Sequence, residues 1–122
     1  MITKTTFKEK NNVDGVEDIY KAIGNELNNS LNCEWDKIEL TIECSNDYVG
    51  TSAKYQINGE WKNNLDCDLT RDTMISIIKF HNNAGKINFT PWNKAVYTLE
   101  KNGHFDMTFE WNQALQDELD NA

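Results

Sequence analysis

Hydrophobic and polar positions recur with two different periods along this chain, and the switches between them mark its elements. From Asp14 the spacing is helical: Val16, Ile19, Tyr20, Ile23 and Leu27 follow one another every three or four residues, with Leu31 one step beyond. Asp14, Glu17 and Asp18 put negative charge in the first turn, where the helix dipole favours it. Asn28, Asn29 and Ser30 weaken the end, so the spacing predicts a helix over 14–30. Ahead of it, residues 1–12 are polar and weakly patterned, which suits either a ragged, flexible arm or a short strand.

Period two comes next. Ile38, Leu40, Ile42 and Cys44 share one face of a predicted strand, while Glu39, Thr41 and Glu43 share the other. Ser45, Asn46 and Asp47 read as a turn. A second strand over 48–57 places Val49, Thr51, Ala53, Tyr55 and Ile57 inward and Ser52, Lys54 and Gln56 outward. Asn58-Gly59 is a hairpin signal, and it predicts a third strand from Glu60 to Leu65 with Trp61 facing the core. A second helix is expected over 70–84, capped by Thr70 or Asp68. Its buried stripe would be Met74, Ile75, Ile77, Ile78 and Phe80, and Gly85 suits a left-handed C-cap.

After Pro91, the segments 92–100 and 104–111 flank the turn Lys101-Asn102-Gly103. Phe105, Met107, Phe109 and Trp111 point one way, and Asp106, Thr108 and Glu110 the other. A short polar helix over 112–119 closes an order α-β-β-β-α-β-β-α. Hairpin-linked strands with one apolar face each predict a single α+β domain over 1–122. Its sheet is expected to have five mainly antiparallel strands, with the two main helices on one face. Ile38, Leu40, Phe105, Met107 and Phe109 are its expected core.

Charge narrows the functional classes. Twenty acidic residues stand against 12 basic ones, a net charge of −8. That balance disfavours direct contact with nucleic acid or an anionic membrane, both of which call for lysine and arginine. It complements a basic protein partner, and it is equally ordinary for a soluble acidic protein. Cys33, Cys44 and Cys67 are an odd set without a close pair, so free thiols in a reducing cytoplasm are expected rather than a disulfide framework. The polar N-terminal stretch has no signal-peptide pattern, and nothing approaches the roughly 20 apolar residues of a membrane span.

Catalytic chemistry finds little to work with. The cysteines and the two histidines, His81 and His104, have no metal-ligand spacing. His81 suits the C-terminal end of the second helix, and His104 simply follows a turn. Glu39 with Glu43, and Asp106 with Glu110, are paired carboxylates on predicted solvent faces, where ordinary pKa values make poor acid–base catalysts. Glycine-rich phosphate cradles are missing from the sequence. These features predict a binding protein with neither cofactor nor metal.

The stretch Glu34-Trp35-Asp36-Lys37-Ile38-Glu39-Leu40 follows the opening helix, then a hairpin carries Tyr55 and Gly59-Glu60-Trp61. The final hairpin, 91–111, sets Gly103 and Phe105 among the alternating acidic residues Asp106 and Glu110. Over about 14–111 this pattern resembles the YezG-like family of bacterial immunity proteins. Its members have a Trp-x-Lys-like strand opening and a terminal hairpin of this kind. The resemblance implies a cytoplasmic antitoxin that binds the C-terminal domain of a secreted polymorphic or contact-dependent inhibition toxin. Such domains are often nucleases with basic substrate grooves, so the acidic balance agrees. The candidate toxin-binding residues are Glu39, Glu43, Asp106 and Glu110 on the outward strand faces. Asp66, Asp68 and Asp72 at the start of the second helix form a competing acidic site, and Trp92 is the candidate exposed aromatic. An adaptor or chaperone for an exported effector is the rival binding role, and a small carboxylate hydrolase the rival enzyme.

Overall fold

The computed structural model describes residues 2–8, 16–31, 33–63, 65, 69–84, 89 and 91–121. The element order is β1 (Ile2–Lys8), α1 (Val16–Asn29), β2 (Lys37–Cys44), β3 (Val49–Ile57) and β4 (Glu60–Lys62). Then follow α2 (Arg71–Asn82), β5 (Lys94–Glu100), β6 (Phe105–Asn112) and α3 (Gln113–Asp120). The five strands expected from alternation form one antiparallel sheet, and β1 joins it as a sixth along β6. Of the two alternatives for the N-terminal segment, the short strand therefore holds for residues 2–8. The strand order is β1-β6-β5-β2-β3-β4, so the two hairpin units meet where β2 pairs with β5.

Alternation produces a two-faced sheet. Ile38, Leu40, Ile42 and Cys44 of β2 are fully buried, as are Ala95 and Tyr97 of β5 and Met107 and Phe109 of β6. Against them α1 sets Ile19, Tyr20, Ile23 and Leu27, and α2 sets Thr73, Ile77 and Phe80. Each such aliphatic side chain removed from water contributes about 1.5–3 kcal/mol, which fixes the strand register because a one-residue slip would turn every one outward.

Gly24 sits in the middle of α1, where glycine costs a helix about 1 kcal/mol relative to alanine. The reason lies across the interface. Tyr97 Oη donates to the Tyr20 carbonyl at 3.1 Å, and a Cβ on Gly24 would lie 3.1 Å from that same oxygen. Glu26 ties the two helices. Its carboxylate accepts from the Thr70 N–H and the Thr73 hydroxyl, at the N-terminus of α2. Thr70 is the N-cap, and its own hydroxyl accepts from the Thr73 N–H at 3.3 Å. Asn83 closes the helix. Gly85, the expected C-cap, lies outside the described residues.

Three side chains depart from the expected pattern. Trp61 does not face the core: it is 38% exposed, because the register pairs it with outward-facing Gln56 on a strand of only three residues. Ile75 is equally exposed, since burial of Thr73, Ile77 and Phe80 phases the helix so that Ile75 points away. Trp92 is the reverse case, at 1% exposure. It precedes β5, and the alternation breaks there: Trp92 and Asn93 are both buried before Lys94 begins the strand. The indole packs within 6.2 Å of Phe80, 5.1 Å of Phe109 and 5.3 Å of the His81 ring.

Candidate functional site

Both main helices cover the same face of the sheet, so the other face carries its side chains outward. Register fixes their layout in rows running across the strands. One row reads Gly50, Glu43, Lys94, Glu110 from β3 to β6. The next reads Ser52, Thr41, Val96, Thr108, and a third reads Lys54, Glu39, Thr98, Asp106. The last reads Trp61, Gln56, Lys37, Glu100. A middle row of short side chains is thus flanked by two charged rows.

This layout brings Glu39, Glu43, Asp106 and Glu110 onto one face without making one acidic patch. β5 lies between β2 and β6, and it inserts Lys94 between Glu43 and Glu110 and Thr98 between Glu39 and Asp106. Lys94 Nζ is 3.8 Å from Glu110 Oε1, and Lys54 Nζ is 3.7 Å from Glu39 Oε1. In register, β1 sets Lys4 opposite Glu110 and Lys8 opposite Asp106. Among the described residues the face therefore carries both signs of charge, with Lys94 and Lys54 set among the carboxylates. The Lys54–Glu39 pair is partly exposed, and a pair of that kind contributes little to stability, roughly 0–1 kcal/mol, whereas the Glu110 side chain is only 13% exposed.

Other candidates fall elsewhere. Asp72 lies exposed in the first turn of α2, away from this face. Asp66 and Asp68 lie outside the described residues, as does Cys67. Trp92 is withdrawn as a contact residue, since burial removes it from any surface. Among the described residues the exposed large aromatics are instead Tyr48 and Trp61, and both belong to the outer margin of the open face. Tyr48 lies over Gly50, where a Cβ would collide with its hydroxyl. Trp61 has the Lys54 ammonium 4.6 Å from its ring centroid. Sequence reasoning missed Trp61 because its side is set by pairing with Gln56. The outward reading of Gln56 and Lys54, carried across the Asn58-Gly59 turn, is the signal that could have found it.

Asp36 anchors one end of this face. Its N–H donates to the Gln56 carbonyl at 2.7 Å, and its carbonyl accepts from the Lys101 N–H at 3.2 Å. Its carboxylate accepts from the Gly59 N–H at 3.4 Å and lies 3.6 Å from Lys101 Nζ. One residue therefore links the β3–β4 turn to the β5–β6 turn. Asn58 and Gly59 both take positive φ, 50° and 79°, the conformation that Asn-Gly hairpins favour.

On the covered side, a cavity of about 640 Å³ opens between α1 and the β5–β6 turn. Tyr20 and Tyr97 line it but are buried, so Trp35 and Phe105 supply its accessible ring surface. Burial, reinforced by the Tyr97 phenol, pushes the Tyr20 hydroxyl well above the ordinary tyrosine range. Burial alone pushes the Cys44 thiol up to about 12. Both groups are protonated at neutral pH, and neither is an activated nucleophile. Among the described residues, no three His, Cys, Asp or Glu side chains group as metal ligands, and no helix is long and apolar enough to cross a membrane. No protein-family model and no curated protein sequence matches the chain.

Proposed function

We propose that this protein is an immunity protein of the YezG-like kind, which binds the toxin domain of a bacterial polymorphic or contact-dependent inhibition system and blocks its active site or substrate groove. The observation that carries the reading is the sheet face opposite the two main helices, where β2 presents Glu39 and Glu43 and β6 presents Asp106 and Glu110 on either side of β5. Rigid strands hold contact residues in place before binding, so little ordering entropy opposes association. The net charge of −8 favours encounter with a basic nuclease domain. Inhibition in this reading is stoichiometric occlusion, with specificity set by the pattern of carboxylates and lysines.

The test is a titration of the toxin domain encoded next to this gene against the purified protein. Nuclease activity should vanish at a one-to-one ratio. A complex that forms while the toxin stays active would instead mark an adaptor or chaperone. Reversing the charge of Glu39, Glu43, Asp106 and Glu110 should slow association and flatten its dependence on salt. If reversal at Asp72 has that effect and reversal of the four does not, the toxin binds at the second helix rather than on the sheet.

A further inference from the structure

Lys54 leaves β3 on the open face and reaches two neighbours at once. Its ammonium lies 4.6 Å from the centroid of Trp61 and 3.7 Å from Glu39 Oε1. A ring from β4 and a carboxylate from β2 thus hold one cation between them. Both interactions are of kinds that favour a cation over a neutral group. The site is also open: Trp61 is 38% exposed, and the Lys54 and Glu39 side chains are 40% and 29% exposed. Trp61 stands on an edge strand with its ring turned away from the core, so packing of the interior does not account for a tryptophan there.

We propose that Trp61 and Glu39 form a recognition slot for an arginine or lysine side chain of a basic protein partner, with Lys54 as its resident occupant in the unbound protein. Lys54 shows what the slot accepts, and its half-exposed side chain is free to swing into solvent when a partner's cation enters. Arginine fits better than lysine. Its planar guanidinium stacks on an indole and offers paired donors to one carboxylate. Tryptophan and arginine are also among the residue types enriched where most binding energy in protein interfaces is concentrated. This slot deepens the immunity reading, on which the basic character of the partner rests.

Hexa-arginine amide is the probe, titrated calorimetrically into the full chain at low salt. One saturable site is expected. Lys54→Ala, which empties the slot, should tighten binding by about threefold or more, whereas Trp61→Ala and Glu39→Gln should weaken it by about fivefold or more. Lys21→Ala removes the same charge from α1 and should leave affinity within about a factor of two. Trp61→Phe, which keeps a ring, should fall between native and Trp61→Ala. The slot is overturned if Lys54→Ala binds no tighter than Lys21→Ala, or if Trp61→Ala binds like the native protein. The peptide reads the slot without the toxin. A toxin that is not neutralised therefore removes the immunity reading alone, and an unchanged peptide affinity removes the slot alone.

Discussion

The side-chain amide of Asn93 pairs with the backbone of Asn112 as though it were one more residue of a strand. Asn93 Nδ2 donates to the Asn112 carbonyl at 2.8 Å, and the Asn112 N–H donates to Asn93 Oδ1 at 2.8 Å. Asn93 Nδ2 also reaches Gln116 Oε1 at 3.3 Å. Asn112 in turn caps α3, its Oδ1 accepting from the Leu115 N–H at 3.0 Å. A fully buried amide thus sets where β6 stops and where α3 starts.

Asn93→Ala should therefore cost about 1–3 kcal/mol, the range for leaving a buried backbone donor and acceptor without partners. Urea denaturation reads the loss. A midpoint equal to that of the native protein would mean that the junction is held by something other than this amide.

The two misplaced tryptophan expectations make a contrast. Phe109→Ala, which empties the aromatic cluster around Trp92, should cost about 3–5 kcal/mol. Trp61→Ala should stay within about 0.5 kcal/mol of native, because no core lies under that ring. Equal losses at the two positions would contradict the register of β4.

Gly24 offers a double-mutant cycle. Gly24→Ala gains helix propensity worth about 1 kcal/mol but crowds the Tyr97 hydroxyl. In a Tyr97→Phe background the crowding oxygen is absent, so the same substitution should be more favourable there by a measurable coupling. Additive effects in thermal unfolding would show that the close approach is relieved without cost.

Alkaline pH should weaken the fold through Cys44. Its thiol stays protonated in the folded protein up to about 12 but ionises in the unfolded chain near the ordinary 9.0. Stability from this group is complete below the lower value. It then falls as pH rises toward the upper one, by at most about 1.4 kcal/mol per pH unit. Tyr20 acts in the same direction, starting above its ordinary 10.0. Melting temperatures between pH 8 and 10 should drop, and Cys44→Ala should flatten the drop in that window. Parallel curves for both proteins would remove Cys44 from the account.

Much of this architecture was legible in the residues. The alternation through Ile38, Leu40, Ile42 and Cys44, and again through Met107 and Phe109, placed two strands and their inner faces. The spacing of Ile19, Ile23 and Leu27 placed α1. Local pattern could not say which strands are neighbours, so the insertion of Lys94 and Thr98 among the four carboxylates was out of reach. Trp61 and Trp92 were exchanged for a related reason. A three-residue strand has too short a period to declare its face, and Trp92 belongs to a segment with no period at all.

The strand order also has a consequence in time. β1 pairs only with β6, and roughly a hundred residues separate the two. On a ribosome adding about 5–20 residues per second, the partner of Ile2–Lys8 is several seconds from existing when that strand has been made. The β2–β3–β4 unit can close early, since its turns are local. β1 must wait for the last strand of the sheet, so of these six strands the earliest in the chain is installed last. The outer edge of β6 stays bare until then, a brief interval in which another chain's strand has the same backbone groups to pair with.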